Sequence, residues 1–438
     1  MYIDDISFKD ISIFNLDENQ SIFSKLNFAK TAGGKETLKQ WFQNPFHNIE
    51  SIKGTQQIIQ AIYNHLSTWP EDISNGTIVV MGKYLDYQVD AIDKKPGAFS
   101  AFSYRILHSA DYAVIKFSVE HFIRFTHGLQ KICNVFKDAA IPDFVQHKID
   151  SIQRRIAQPF FQTLLKTNID TKFTKQKLLT YARLIRYEHR SDFNFLIDLY
   201  FELDAWYAMA KAMQHFNMVF PVFIDSEVPI LEIKNLVHVL VDQHTPYDIE
   251  LNPSQNFLFL TGANMSGKST LIKSVGVAVF LAHLGMGVPA SHMKLSLFDG
   301  LISNINVEDN IAKGESYFFN EVQRIKKTVE RINNNQKWLV LIDELFKGTN
   351  IEDAMKCSVE VINGLTKITT SQFILSTHLY EIGRDLKHIP NISFKYFDTQ
   401  LIDNELIFPY QLKEGISNDR IGYFILQKEG VVKLLHEL

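Results

Sequence analysis

The stretch TGANMSGKST, residues 261–270, decides how this chain is read. It contains GxxxxGK(S/T) from Gly262 to Ser269, and it stands between the apolar run FLFL, 257–260, and the helical pattern STLIKSVGVAVFLAHL, 269–284. A glycine-rich turn between a buried strand and a helix lets backbone N–H groups converge on phosphate oxygens, and the helix N-terminus adds its partial positive charge. Gly262, Ala263, Asn264, Met265, Ser266, Gly267, Lys268, Ser269 and Thr270 are therefore the expected nucleotide-binding residues. Lys268 is expected on the β and γ phosphates of ATP, and the Ser269 hydroxyl on Mg2+.

Downstream, WLVLIDE, 338–344, reads as a buried strand ending in Asp343 and Glu344. Carboxylates in that position make sense when they face a site. Asp343 is expected to join Ser269 as a Mg2+ ligand, and Glu344 to polarise the attacking water. QFILSTH, 372–378, ends a further strand at His378, placed to sense a γ-phosphate. Lys268, Glu344 and His378 form the expected catalytic set. VPILEIKNL (228–236), HVLVD (238–242) and NFLFLTG (256–262) also read as short strands, so an α/β nucleotide-binding domain is expected from about residue 226. Its ligand should lie beyond the C-terminal strand ends.

Upstream, the pattern is helical. The 61 residues between Pro159 and Pro221 include neither glycine nor proline. A single helix through them would run roughly 90 Å at ~1.5 Å per residue, so two long helices broken near TNID, 167–170, are expected. Residues 20–70 and 100–137 read as helices as well, and the whole of 1–225 is expected to be an all-α region. Between 151 and 190, Arg154, Arg155, Lys166, Lys172, Lys175, Lys177, Arg183, Arg186 and Arg190 face only Asp170 and Glu188, a local charge of +7. Such a run is either an electrostatic footprint for nucleic acid or a solvated helix face.

Bulk properties narrow the class. At 438 residues the chain is long enough for two or three domains. With 46% hydrophobic and 21% charged residues it has the composition of a soluble globular protein. Cys133 and Cys357 lie far apart without metal-type spacing, which points away from a disulfide framework or zinc site and fits a reducing cytoplasm. The opening MYIDDISFKD has no signal-peptide pattern. The uncharged run 274–293 directly follows the phosphate loop and contains Gly285, Gly287 and Pro289, so it reads as soluble core, and no membrane partner is expected.

The motifs follow the order of ABC-type ATPases, but the transporter signature LSGGQ is missing and GESYFFNE, 314–321, stands in its place. That segment resembles the GxSTFxxE of the MutS family. TGANMSGKST resembles the family's TGPNMxGKST, LIDELFKGTN its Walker B and D-loop block, and STHLYEI its THxxEL. LNFAKTAGGKETLKQWFQNPFHNIESIKGTQQIIQAI, 26–62, is similar to the start of the MutS core domain through Thr31, Gly33, Gly34, Leu38, Trp41 and Pro45. YQLKEGISNDRIGYFILQKEG, 410–430, resembles the closing segment of its ATPase domain.

The resemblance implies a MutS-like helical core and lever domain over 1–225 and a P-loop ATPase domain of the ABC type over 226–438. It implies a homodimer in which Ser316 reaches the γ-phosphate of ATP bound to the partner subunit. It also implies DNA engagement, for which Arg154, Arg155, Lys172, Lys175, Lys177, Arg183, Arg186 and Arg190 are the candidate contacts, in mismatch repair or recombination-type maintenance. The sequence departs from the family in three ways. The only Phe-x-Glu, Phe319 to Glu321, falls inside the ATPase signature, so the usual mismatch-reading domain is expected to be absent. The stretch before the phosphate loop is short for a core with its DNA clamp, so the clamp is expected to be absent or reduced, and a terminal Smr-type nuclease is not expected. Phe346, Lys347 and Asn350 replace the usual Gly, Arg and Ser or Thr of the D-loop, which bears on communication between sites. An ATP-dependent protein-interaction switch without direct DNA binding is the alternative from another class.

Overall fold

The computed structural model describes residues 1–137, 139–168, 173–242, 245–306, 316–402, 405–417, 426–428 and 430–436. The chain forms two compact units: Met1–Lys25 with Asn44–Ile52 and Phe216–Leu438, and Leu26–Gln43 with Lys53–His215. The division is therefore not one cut near residue 225. Short segments from the chain start join the C-terminal unit because their polar groups find partners there. The Met1 amino group donates to the Pro45 and Phe46 carbonyls, and Phe46 N–H donates to the His283 carbonyl at 2.8 Å. The buried Asp10 carboxylate accepts from the Ser303 hydroxyl and from Ile305 and Asn306 N–H.

The α/β unit contains, in chain order, β1 (Tyr2–Ile3), β2 (Val222–Ile224), β3 (Leu231–Leu236), β4 (Tyr247–Leu251), β5 (Phe257–Thr261), β6 (His292–Ser296), β7 (Gly300–Asn304), β8 (Trp338–Asp343), β9 (Ser371–Thr377), β10 (Ile392–Phe397), β11 (Gln400–Ile402), β12 (Glu405–Ile407) and β13 (Leu412–Glu414). Strands β1 and β2 correct the all-α expectation for 1–225 at its two ends. HVLVD is corrected too: it forms a turn in which Val241 N–H donates to the His238 carbonyl.

The main sheet runs β1-β7-β8-β9-β5-β10-β13, parallel except for β13. Parallel strands need both faces covered, which accounts for their near-continuous apolar sequences. Phe257, Phe259, Trp338, Val340, Ile342, Phe373 and Leu375 share one core with Ile325 and Ile332 of helix Tyr317–Ile332, Ile362 of helix Ile351–Leu365 and Ile382 of helix Tyr380–Asp385. On the opposite face, Gly276 of helix Lys268–His283 lies against Leu341, where a Cβ would meet its side chain at 2.8 Å. The first half of the uncharged 274–293 stretch lies in this buried helix, and no helix among the described residues is long and apolar enough to cross a membrane. A second sheet, β2-β6-β3-β4, and the hairpin β11-β12 complete the unit.

The other unit is helical. Val145, Ile149, Ile152 and Ile156 are buried along Asp143–Ile156 at helical spacing, and Ser74 and Thr174 cap the helices that follow them. The expected pair of long helices is one short and one long element: Pro159–Leu165 ends before the break, and Lys175–Arg183 continues through a π turn, Leu184–Glu188, into Arg190–His215. Residues 169–170 of TNID lie outside the described residues.

The TAGG motif has a packing role. The Asp204 carboxylate, 2% exposed, accepts from Lys30 N–H, Thr31 N–H and the Thr31 hydroxyl, at the head of helix Ala32–Gln43. A Cβ on Gly34 would stand 2.2 Å from Asp204 Oδ2. Trp41 packs on Trp206 with ring centroids 5.2 Å apart.

Candidate functional site

The register of three parallel strands assembles the site. Thr261 of β5 pairs with Thr377 of β9, and Ser376 of β9 pairs with Asp343 of β8. The phosphate loop, the two acids and His378 therefore leave the sheet along one edge, at the C-terminal ends of their strands.

The loop from 262 to 267 needs its glycines. Gly262 has φ 148°, and a Cβ there would lie 3.2 Å from Phe397 Cβ and 2.9 Å from the Ser266 hydroxyl. Gly267 has φ 106° at the N-cap of the following helix, with the Tyr410 ring 3.3 Å from where a Cβ would be. Asn264 and Met265 are exposed, the latter at φ 70°, while Thr270 lies in the first helical turn, its carbonyl accepting from Ser274. Lys268 is buried and donates to the Gly262 and Ala263 carbonyls at 2.8 and 2.9 Å. Burial pushes its ammonium pKa down, against the pull of Glu344 and Asp343. The Ser266 hydroxyl is buried inside the loop without a hydrogen-bond partner. A buried orphan hydroxyl wants an acceptor, and a phosphate oxygen would supply one.

Asp343 is 8% exposed and accepts from two hydroxyls, Ser269 through Oδ2 and Ser376 through Oδ1. Ser269 and Asp343 thus meet as expected, and their all-oxygen donor set suits a hard cation such as Mg2+. Ser376 was missed by sequence reasoning, although its place just before the expected His378 was the available signal.

Glu344 continues the pairing of β8, its N–H donating to the Ser376 carbonyl, but adopts φ 63°. A left-handed non-glycine residue costs about 1–2 kcal/mol. Its carboxylate is held between two side chains: Oε1 lies 3.2 Å from His378 Nδ1, and Oε2 lies 3.3 Å from Lys347 Nζ. Burial pushes the carboxyl up, yet the hydrogen bond from His378 and the charges of Lys347, His378 and Lys268 outweigh it and hold the pKa at about 2. His378 is half exposed; with Nδ1 engaged on Glu344, Nε2 is the nitrogen left for another ligand.

Among the described residues Ser316 makes no hydrogen bond to these groups. It caps helix Tyr317–Ile332, accepting from Phe319 N–H at 3.3 Å. Gly314 and Glu315 of GESYFFNE lie outside the described residues. Glu321, at the end of that segment, is buried and bonds to Lys347 and Gly348 N–H, a link that spacing alone does not reveal.

The expected DNA contacts divide within the helical unit. Arg155 lies 3.6 Å from the Phe195 ring centre and 3.5 Å from Asp192, and Arg183 pairs with Glu188 at 2.6 Å. Arg186 donates to the Tyr84 and Tyr87 carbonyls, and Arg190 pairs with Asp86 at 3.0 Å. Arg155, Arg186 and Arg190 brace one helix against another, while the Arg183 pair is local to its own helical segment. Arg154, Lys175 and Lys177 make no ion pair with an acid among the described residues; Arg154 donates to the Ser151 hydroxyl, Lys175 rests over Phe102 and Lys177 over Tyr181. Lys172 lies outside the described residues.

Residues 258–434 match the family model described as MutS domain V. The chain is 30% identical over 235 residues to DNA mismatch repair protein MutS of Anaplasma phagocytophilum, covering 53% of this chain and 28% of that protein. It is 31% identical over 229 residues to DNA mismatch repair protein MSH3 of Vanderwaltozyma polyspora, covering 50% and 22%. It is 28% identical over 233 residues to MutS of Petrotoga mobilis, covering 52% and 28%. Each match therefore spans less than a third of the relative's length.

Proposed function

We propose that the chain is a MutS-like ATPase, its α/β unit an ABC-type P-loop engine. The carrying observation is the convergence of the Lys268 loop, the Ser269–Asp343–Ser376 group and the Glu344–His378 pair at one edge of the sheet. In this reading backbone N–H groups and Lys268 hold the triphosphate. Mg2+, when bound, would neutralise charge on its oxygens, with Ser269 and Asp343 as protein ligands. Glu344 accepts the proton of the water that attacks the γ-phosphorus as the bond to ADP breaks, and His378 orients Glu344. Ser316 acts on the nucleotide of a partner subunit, so the working form is a homodimer. Ser316 heads its own helix without joining its chain's acid pair, which supports that reading.

The helical unit engages DNA in this proposal, in mismatch repair or a related maintenance role, through phosphate contacts made by Arg154, Lys175 and Lys177. The second reading, an ATP-dependent grip on a protein, is favoured by one observation. Phe99, Phe102, Ile106 and Leu107 lie exposed on helix Ala98–Leu107. A salt titration of binding to duplex, mismatched and branched DNA, with and without ATP, separates the two. DNA affinity that falls with salt supports the first; none in any nucleotide state leaves the second.

The engine is tested by Lys268→Ala, expected to abolish productive ATP use, and by Glu344→Gln. The latter should retain ATP binding while hydrolysis falls about 100-fold or more. Native turnover by Glu344→Gln would overturn the base assignment.

A further inference from the structure

Glu321 is the fifth residue of helix Tyr317–Ile332, and its carboxylate is 4% exposed. Its two oxygens take two different donors, Oε1 the Lys347 N–H and Oε2 the Gly348 N–H, each at 3.1 Å. Burial holds this carboxyl above its usual range, against the pull of the two backbone bonds and the Lys347 charge. An acid in an apolar setting is costly unless its hydrogen bonds are made, and here the donors come from one short loop.

The same loop is seated on the same helix by two further contacts. Gly348 has no room for a side chain, since a Cβ would lie 2.7 Å from both the Phe318 nitrogen and the Tyr317 ring. Phe346 holds φ 60° and is buried with its ring centre 5.7 Å from that of Phe318. From this loop, Lys347 reaches Glu344 at 3.3 Å. A continuous path of contacts thus runs from the helix that begins at Ser316, through Glu321 and the 346–348 backbone, to the Lys347–Glu344 pair.

We propose that Glu321 is the positioning residue that locks the 346–348 loop to the helix headed by Ser316. The lock makes the serine that serves the partner's nucleotide and the Lys347–Glu344 pair that serves the chain's own nucleotide move as one body. The inference rests on the roles given to Ser316 and Glu344 above. Capture of a phosphate by Ser316 shifts its helix, the two hydrogen bonds carry the shift to Lys347, and the hold of Lys347 on Glu344 changes. Glu321 touches neither nucleotide. Each chain therefore couples the site it completes to the site it owns.

The full chain is tested as Glu321→Gln, Glu321→Ala, Ser316→Ala and the Glu321→Ala, Ser316→Ala double variant. The first reading is amide hydrogen exchange of the segment 345–350 without nucleotide. Glu321→Ala should exchange faster there than the native chain, with Glu321→Gln between them because one acceptor oxygen remains. The second is steady-state ATP hydrolysis. Glu321→Ala should lower kcat about tenfold while KM stays within about twofold, with partial recovery in Glu321→Gln. Ser316→Ala should cost less in the Glu321→Ala background than alone, because the link is already cut.

Unchanged exchange at 345–350 would overturn the lock. Strictly multiplicative effects of the two substitutions, or a loss of ATP binding in step with kcat, would overturn the coupling. A native chain that hydrolyses no ATP would instead count against the proposed engine, and the exchange measurement would then decide the lock alone.

Discussion

A buried aspartate in each unit, Asp343 in the α/β unit and Asp204 in the helical one, is used differently. Asp343 ends a parallel strand and takes its bonds from the hydroxyls of Ser269 and Ser376, one of which is at the surface. Asp204 lies inside the helical unit and takes two backbone N–H groups and a hydroxyl at the start of a helix. Hydroxyl partners can turn toward an incoming ion or phosphate, whereas orphan N–H groups at a helix start need a permanent acceptor. One carboxylate is thus available to a ligand and the other is part of the scaffold. The contrast extends to the cations. Lys268 is anchored on the loop it serves, while Arg155, Arg186 and Arg190 hold helices together.

Substitutions at these positions test the contrast. The largest effect is expected from Asp343→Asn, which should lower ATP turnover about 100-fold or more by weakening the cation site, while urea unfolding of the chain changes little. Equal losses of stability from Asp343→Asn and Asp204→Asn would erase the distinction. Asp204→Asn should destabilise the helical unit by about 2 kcal/mol in urea, since an amide cannot accept all three hydrogen bonds as the carboxylate does. Gly34→Ala should act in the same direction, because its methyl group would displace the Asp204 carboxylate. Neither should alter ATP affinity.

A smaller effect is expected at the chain start. Asp4 accepts from the Arg324 guanidinium at 2.6 and 3.2 Å. Burial pushes its carboxyl up, but the bonds from Arg324 and Ser7 hold it below 3.8. A depressed carboxylate contributes stability above the unfolded-state pKa and loses it as pH falls through the folded one. Asp4→Asn should therefore lower Tm at neutral pH, and the gap to the native chain should narrow below about pH 4. A gap that widened on acidification would refute the assignment. The smallest effect concerns DNA: Lys175→Gln or Lys177→Gln should each reduce the salt slope of binding by about 0.9, whereas Arg183→Gln should leave it unchanged.

The phosphate loop, the acid pair and His378 were legible because each ends a run whose apolar character announces a buried strand. A polar residue at such an end has few structural uses. The helical unit was legible as helix but not as surface. Arg183 and Arg186 look the same in sequence as Lys175 and Lys177, and only the positions of Glu188 and the Tyr84 carbonyl separate a brace from an available cation. HVLVD misled because a short run of β-branched and apolar residues fits a buried turn as well as a strand. Phe346 and Lys347 were visible as departures from a family pattern, but the roles of a left-handed phenylalanine and a lysine on Glu344 were not.

The order of motifs along the chain, the strand-turn-helix around Lys268 and the identity of the groups at the strand ends follow from the sequence alone, because local periodicity and turn chemistry act over a few residues. The junction of Ser269, Asp343 and Ser376, the pairing of Glu344 with Lys347 and His378, and the bond from Glu321 to the 347–348 backbone belong to the tertiary structure. Apart from Lys347, which the left-handed turn at Glu344 and Phe346 brings back to Glu344, these groups come from positions tens of residues apart, and only strand register and helix packing bring them within hydrogen-bond reach.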